Sequence, residues 1–267
     1  MSSAAPGAHI RLEGVANLRD VGGWATTGGR RVRRGVLLRS AGLGWATPAD
    51  VEAIGALGVR TVYDLRTRGE RERQPDLLPT TATAVVLDVL DGHLDTVPAH
   101  MLDLLEDPPR ASVALRDGVG EALLEQAYRE FVTLPSAHMA FSQLYRGLLS
   151  GGEGPALVHC TTGKDRTGWA AAALLLLLGV PESDVLAEYL LTNEQLLPYL
   201  APLFARFAEA GGDPEVLRPV LGVQPSYLRT ALDLVHAEHG SIEGYFDSAL
   251  GLGDDLQRQL REVLLRG

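Results

Sequence analysis

Residues 155–168 read Pro-Ala-Leu-Val-His-Cys-Thr-Thr-Gly-Lys-Asp-Arg-Thr-Gly, and an apolar run from Trp169 to Val180 follows at once. Pro155 to His159 has the composition of a short buried strand, and the run after Gly168 reads as a buried helix that ends at Gly179 and Pro181. The segment from Cys160 to Gly168 is then a strand-to-helix loop. Such a loop aims several unpaired backbone N–H groups at one point, and the helix dipole adds partial positive charge there. It is suited to hold an oxyanion.

Cys160 opens the loop and Arg166 closes it, with five residues between them. That spacing lets the backbone curl around a phosphate while the planar Arg166 guanidinium grips two of its oxygens. The Cys160 sulfur then lies beneath the phosphorus, in a field that favours thiolate over thiol and makes it a nucleophile near neutral pH. Phosphate contacts are expected from Thr161, Thr162, Gly163, Lys164 and Thr167, the last also donating its hydroxyl to the sulfur. Gly163 and Gly168 supply the backbone freedom and close packing of the turn. A lone cysteine is ordinarily a small buried hydrophobe, and C-x5-R alone recurs by chance. The ten-residue string from His159 to Gly168, set between strand and helix, outweighs that reading.

Working outward, Gly35 to Ser40 and Arg60 to Arg66 read as short buried strands. Thr47 caps a helix between them that starts at Pro48 and runs to Leu57. Ala84 to Leu90 is a further strand, and helical patterns run from Val119 to Val132 and from Ser136 to Leu149. The alternation predicts an α/β fold with a mostly parallel central sheet flanked by helices. Residues 91–113 look like an inserted loop carrying a short helix at Ala99 to Glu106. The chain after Pro181 looks entirely helical, with breaks near Pro198, Pro202, Gly211 to Pro214, Pro219 and Pro225. Leu196, Leu197, Leu200, Leu203, Phe204 and Phe207 form a wide apolar face, which suits either an ordinary core helix or a helical lid over residues 193–222. No repeat or low-complexity block divides residues 1–267, so a single domain is expected.

Composition narrows the function classes. A formal net charge of −10 argues against a general nucleic-acid or anionic-membrane binder. One cysteine excludes an intrachain disulfide and leaves no thiolate pair for a zinc ribbon. Met1 to Ala16 shows no basic stretch followed by an apolar core, so no secretory signal is expected. Trp169 to Val180 is well short of the about 20 residues a membrane span needs. His236 and His239 sit three apart with no carboxylate pattern beside them, and no metal site or cofactor is expected.

At His159 to Gly168 the sequence resembles the cysteine phosphatases, and within them the bacterial protein tyrosine phosphatase B type, whose loop reads H-C-x-x-G-K-D-R-T-G. The resemblance extends to Asn17-Leu18-Arg19-Asp20, Leu38-Arg39-Ser40, Asp64-Leu65-Arg66, and the tail from Gly222-Val223 through Tyr227 to Gly244-Tyr245. It implies the cysteine-phosphatase fold and hydrolysis of phosphotyrosine, phosphoserine or phosphothreonine, and phosphoinositides, through a phosphocysteine on Cys160. Phosphoproteins and phosphoinositides are then the expected partners. It also implies that the general acid lies within the loop, at Asp165, and that Lys164 places a second cation beside the pocket mouth, similar to the loop of phosphoinositide phosphatases. Members of the family can leave the cell without a classical signal, so cytoplasmic and secreted locations both stay open.

Several alternatives remain at this point. The acid could come from Asp88, Asp91 or Asp95 in the polar insertion. Asp64 and Arg66 end a strand at the edge where ligands usually bind, and read equally as a buried structural pair. Asn17, Arg19 and Asp20 could tie the N-terminal segment to the catalytic loop. A silent phosphate-binding module would normally lose the nucleophile or the acid, and both are present. A sulfurtransferase or arsenate-handling enzyme also uses a cysteine in an anion loop, but Lys164 and Asp165 just before Arg166 favour phosphate ester hydrolysis.

Overall fold

The computed structural model describes residues 5–92, 107–150 and 154–267. The first half of the chain supplies β1 (Arg19–Asp20), β2 (Arg31–Val32), β3 (Leu37–Ser40), α1 (Pro48–Ala56), β4 (Thr61–Asp64), α2 (Arg68–Arg73) and β5 (Thr83–Val86). Then follow α3 (Pro108–Ala114), α4 (Val119–Thr133), α5 (Pro135–Leu149), β6 (Ala156–His159) and α6 (Arg166–Leu177). The C-terminal part is α7 (Glu182–Leu196), α8 (Ala201–Glu209), α9 (Leu217–Leu221), α10 (Pro225–His239), α11 (Ile242–Ser248), α12 (Asp254–Leu264) and β7 (Leu265–Arg266). The helix expected at Ala99 to Glu106, and Asp95, lie outside the described residues.

Five strands form one sheet in the order β1-β3-β6-β4-β5, parallel throughout except for the antiparallel edge pair β1–β3. The expected mostly parallel sheet is therefore present. Register aligns Ser40, His159 and Asp64 across the three central strands. Cys160 thus leaves the middle strand at the carboxyl edge, where open α/β sheets place their ligands.

Alternation along the strands covers both faces. Leu38, Val62 and Leu157 join Leu43 and Ile54 in one cluster beneath α1, while Leu37, Tyr63 and Val158 face the larger helical layer. α1 starts on a capping box in which the Thr47 hydroxyl accepts from Asp50 N and the Asp50 carboxylate accepts from Thr47 N, with Pro48 at the first helical position. α6 is apolar on every side, and Trp169 and Ala170 to Ala173 are all buried. That confirms the core-helix reading of the run, and no helix among the described residues is long and apolar enough to cross a membrane.

The all-helical reading of the C-terminal part is corrected at its last residues. β7 pairs antiparallel with β2, Val32 opposite Leu265, and Arg33 N–H donates to Leu264 O at 2.7 Å. Strands of two residues have no periodicity to read. Elsewhere in that part Asn193 clamps the chain across a bend. Its amide donates to Val223 O and accepts from Val223 N, both at 2.8 Å, so 194–222 leaves and returns at one point. Within the segment α8 buries Phe207 fully, and Leu203 and Phe204 are partly buried against the main core.

Polar groups fasten α7 to the sheet. The Glu188 carboxylate receives Arg19 Nε on one oxygen and Arg39 Nη1 on the other, each at 2.7 Å, with all three side chains fully buried. Arg19 also donates to Glu188 O and Thr192 Oγ1, at 3.1 and 3.2 Å. Burial, and then the neighbouring Arg39, push the Arg19 guanidinium down to about 10, against the pull of Glu188. Removing one member of such a group strands uncompensated buried charge, which typically costs about 3–5 kcal/mol. Glu188→Gln should therefore unfold at markedly lower urea concentration than the wild type; coincident unfolding curves would show that water already reaches the two arginines.

Candidate active site

The loop from Cys160 to Arg166 is held by its carbonyl groups. Thr161 O accepts from Gly42 N at 3.0 Å, and Thr162 O from Asn17 Nδ2 at 3.3 Å. Gly163 O accepts from both Asn17 Nδ2 at 3.0 Å and Arg39 Nη2 at 2.7 Å, and Cys160 O takes His159 Nδ1 at 3.0 Å. No backbone N–H from Thr161 to Arg166 has an acceptor among the described residues. With the carbonyls pulled outward, those amides are left for an anion.

Two backbone positions need unusual conformations. Gly163 has φ +67, and a Cβ there would stand 2.1 Å from Ser40 O, so only glycine fits. Asn17 has φ +62, a conformation asparagine tolerates better than most residues, and its Oδ1 accepts from Arg19 Nη1. The expected tie from the N-terminal segment to the loop is thus made by Asn17, whose side chain Arg19 holds. Asp20 takes no part: its carboxylate accepts from Gly22 N and Gly35 N, each at 2.8 Å.

Cys160 is buried at the base of the loop, 2% exposed. Thr167 is fully buried, but its hydroxyl has no hydrogen-bond partner, so the expected bond to the cysteine sulfur is not made in this structure. Arg166 closes the loop as expected, yet its main partner is a residue the sequence reading missed. Glu70 Oε2 receives Nη1 and Oε1 receives Nη2, both at 2.7 Å, and Nη1 also donates to Leu65 O at 3.3 Å. Five guanidinium donors less these three leave Nε–H and one Nη2–H along one edge, a fork matched to two phosphate oxygens. The same Glu70 accepts from the Thr161 hydroxyl and from Thr67 N, closing the capping box that begins α2. The Thr67-x-x-Glu70 spacing was the readable signal, though not of its target.

Electrostatics follow this geometry. Burial alone would raise Glu70, but the charge and hydrogen bonds of Arg166, with the Thr161 and Thr67 donors, hold its carboxyl far below the usual range. Burial likewise works against Arg166, and Glu70, Cys160 and Asp165 outweigh it, so its proton is held more tightly than usual.

Asp165 and Lys164 are adjacent in space as well as in sequence. Asp165 stands at the N-cap of α6 without capping it; its carboxylate instead takes Lys164 Nζ, at 3.0 Å on Oδ1 and 2.7 Å on Oδ2. Lys164 is only 4% exposed, so it is a buried partner of Asp165 rather than a solvated cation at the mouth. Tyr128 Oη donates to Asp165 Oδ1 at 3.3 Å. Of the rival acids, Asp88 is engaged by Arg68 N and Leu90 N, at 3.0 and 3.1 Å, and Asp91 is exposed.

Asp64 and Arg66 form a structural pair. Arg66 binds Asp64 through Nε and Nη2, at 2.9 and 2.8 Å, and Asp76 through Nη2 at 2.5 Å. Asp64, Asp76 and His159 could by spacing hold a cation. Arg66 already joins both carboxylates, and Asp76 stays below the usual carboxylate range because His159 and Arg66 outweigh its burial. His239 Nδ1 lies 2.8 Å from Ser248 Oγ, away from that cluster.

A sheet-edge loop of free amides around a buried cysteine, with an arginine fork at its end, is the geometry of a cysteine-dependent oxyanion site, and comparison with known proteins makes it that of a phosphatase. Residues 10–266 match the tyrosine phosphatase family model, and the chain belongs to that family. It is 33% identical over 252 residues to a protein of Cupriavidus necator named provisionally as a tyrosine-protein phosphatase, covering 93% of this chain and 87% of that protein. It is 30% identical to a tyrosine-protein phosphatase of Nostoc commune, over 84% and 72% of the two chains. With the triple specificity protein phosphatase PtpB of Mycobacterium tuberculosis it shares 29% identity over 95% of this chain and 98% of that protein.

Glu70→Gln should misalign Arg166 without unfolding the chain. Placement errors of about 1 Å can cost on the order of 10² in rate, so kcat/KM on a phosphotyrosine peptide should fall by roughly 10- to 100-fold with an unchanged circular dichroism spectrum. A wild-type rate would mean that the loop alone orients the arginine.

Proposed function

We propose that the chain hydrolyses phosphotyrosine, phosphoserine or phosphothreonine and phosphoinositide monoesters through a phosphocysteine on Cys160. The observation that carries this reading is the run of partnerless amides from Thr161 to Arg166 above Cys160, with two donors of Arg166 left over. The phosphoryl group sits on Thr161, Thr162, Gly163 and Lys164 amides and the Arg166 fork. Sγ attacks in line, the bond from phosphorus to the ester oxygen breaks, and Asp165 gives that oxygen its proton. Water then attacks the phosphocysteine, its proton returning to Asp165 and the thiolate leaving. The name of the mycobacterial relative, a triple specificity phosphatase, supports the substrate breadth.

Cys160→Ser is the test of the covalent route. A serine hydroxyl is a far weaker nucleophile than a cysteine thiolate, so turnover of all three ester classes should vanish while inorganic phosphate still binds by calorimetry. Activity within about tenfold of wild type would overturn the phosphocysteine.

The segment 194–222 is the proposed lid of this site. Leu196 and Leu200 pack on Ala16 and Ala41, beside the strand ends that carry the loop, and the Asn193–Val223 clamp forms a base from which α8 and α9 project. Hydrogen exchange across 194–222 should be fast in the free protein and slow when phosphate or vanadate is added. Equal, high protection in both states would return the segment to the static scaffold.

A further inference from the structure

Tyr128 on α4 and Tyr189 on α7 meet at 2.6 Å between hydroxyl oxygens, and both side chains are fully buried. Tyr128 Oη reaches on to Asp165 Oδ1 at 3.3 Å. We propose that Tyr128, backed by Tyr189, is a positioning residue for Asp165, orienting its carboxyl toward the leaving oxygen. The inference rests on Asp165 being the proton donor.

The direction of the chain of hydroxyls follows from hydrogen counting. Each phenol has one hydrogen. With Asp165 ionised, Tyr189 donates to Tyr128 and Tyr128 donates to Oδ1, which it shares with Lys164 Nζ. Burial holds both phenols well above their ordinary range, so neither surrenders its proton. The proton that moves is that of Asp165, passed to the leaving oxygen and recovered from water in the second half of the reaction. The tyrosines turn their hydrogens and stay neutral.

Packing makes the pair a fixed reference rather than a pair of rotors. The Tyr128 ring rests on Phe131 and Tyr227, with centroids 5.2 and 6.0 Å away. The Tyr189 ring lies against Gly168, where a Cβ would come within 3.1 Å of it. Glycine after Thr167 therefore serves the tyrosine as well as the turn. The other groups acting on Asp165 or on the pair are Lys164 and Arg166 from the loop, Tyr227 from α10, and Arg39 from β3.

Tyr128→Phe removes the hydroxyl that aims the carboxyl, so kcat should fall roughly tenfold for a phosphoserine peptide, less for a phosphotyrosine peptide and least for nitrophenyl phosphate, with KM unchanged. Tyr189→Phe should lose rate in the same order by less, and it provides the same reading if Tyr128→Phe does not fold. Asp165→Asn, run alongside, should itself lose rate in that leaving-group order by about 10² to 10⁴ for the poorest group, and adding Tyr128→Phe to it should change nothing further. An equal loss on all three esters in Asp165→Asn would overturn the donor assignment and the inference with it. A graded loss there, together with an equal loss or none on all three esters in Tyr128→Phe and Tyr189→Phe, would overturn the inference alone.

Discussion

Everything at the active site depends on which way six peptide groups face. Gly42, Asn17, Arg39 and His159 take the carbonyls of Cys160 to Gly163 on the outer side, which turns the amides of Thr161 to Lys164 inward. A peptide cannot present both ends to one point, so each outward carbonyl bond aims an N–H inward. Gly163 receives two donors on one oxygen and has no room for a Cβ against Ser40 O, so the turn at the middle of the loop is over-determined. Such pre-organisation means the anion does not have to order the loop when it arrives.

Charge count would not have indicated an anion site. The buried cations around the loop are Arg19, Arg39, Arg66, Lys164 and Arg166, and the carboxylates that meet them are Glu188, Asp64, Asp76, Asp165 and Glu70. Five face five, within a chain whose formal charge is −10. The attraction for phosphate comes from orientation instead. Glu70 takes one edge of the Arg166 guanidinium and leaves the other, and the amides of the α6 N-terminus add their dipoles. The Asp165 carboxyl gives the Lys164 ammonium a partner at 2.7 Å, which keeps the buried lysine compatible with folding.

The legible parts of the sequence were those where local pattern and tertiary role coincide. Pro155 to Val180 announces strand, anion loop and buried helix within one window, because the α6 residues are apolar all round and the loop residues act through their own backbone. Asn17 and Arg19 were readable as a tie to the loop, while Glu188, the carboxylate that Arg19 shares with Arg39, was not; it lies 169 positions from Arg19. Glu70 stands 96 positions from Arg166, and the capping box that marks it in sequence speaks only of α2. The burial of Lys164 runs against the usual habit of lysine and follows from the neighbouring carboxylate, which a residue-by-residue reading treats as a separate charge. β2 and β7 are too short for any period, and their pairing is a consequence of where α12 ends.

The unread partners converge on one element. Along α7, Glu188, Thr192 and Gln195 stand on the stripe that holds Arg19, while Tyr189, Asn193 and Leu196 stand on the next. The first stripe fixes the arginines that hold the loop; the second reaches Asp165 through Tyr128, latches Val223, and packs beside Ala16 and Ala41. A rotation of α7 would move both stripes together. It would disturb the carbonyl clamp through Arg39, the acid through Tyr189 and the base of 194–222 through Asn193 at the same time. One helix thus bears the contacts to Arg39, Tyr128 and Val223 together, and the buried carboxylate of Glu188, held at 2.7 Å by each of two guanidinium groups, is what fastens that helix to the sheet.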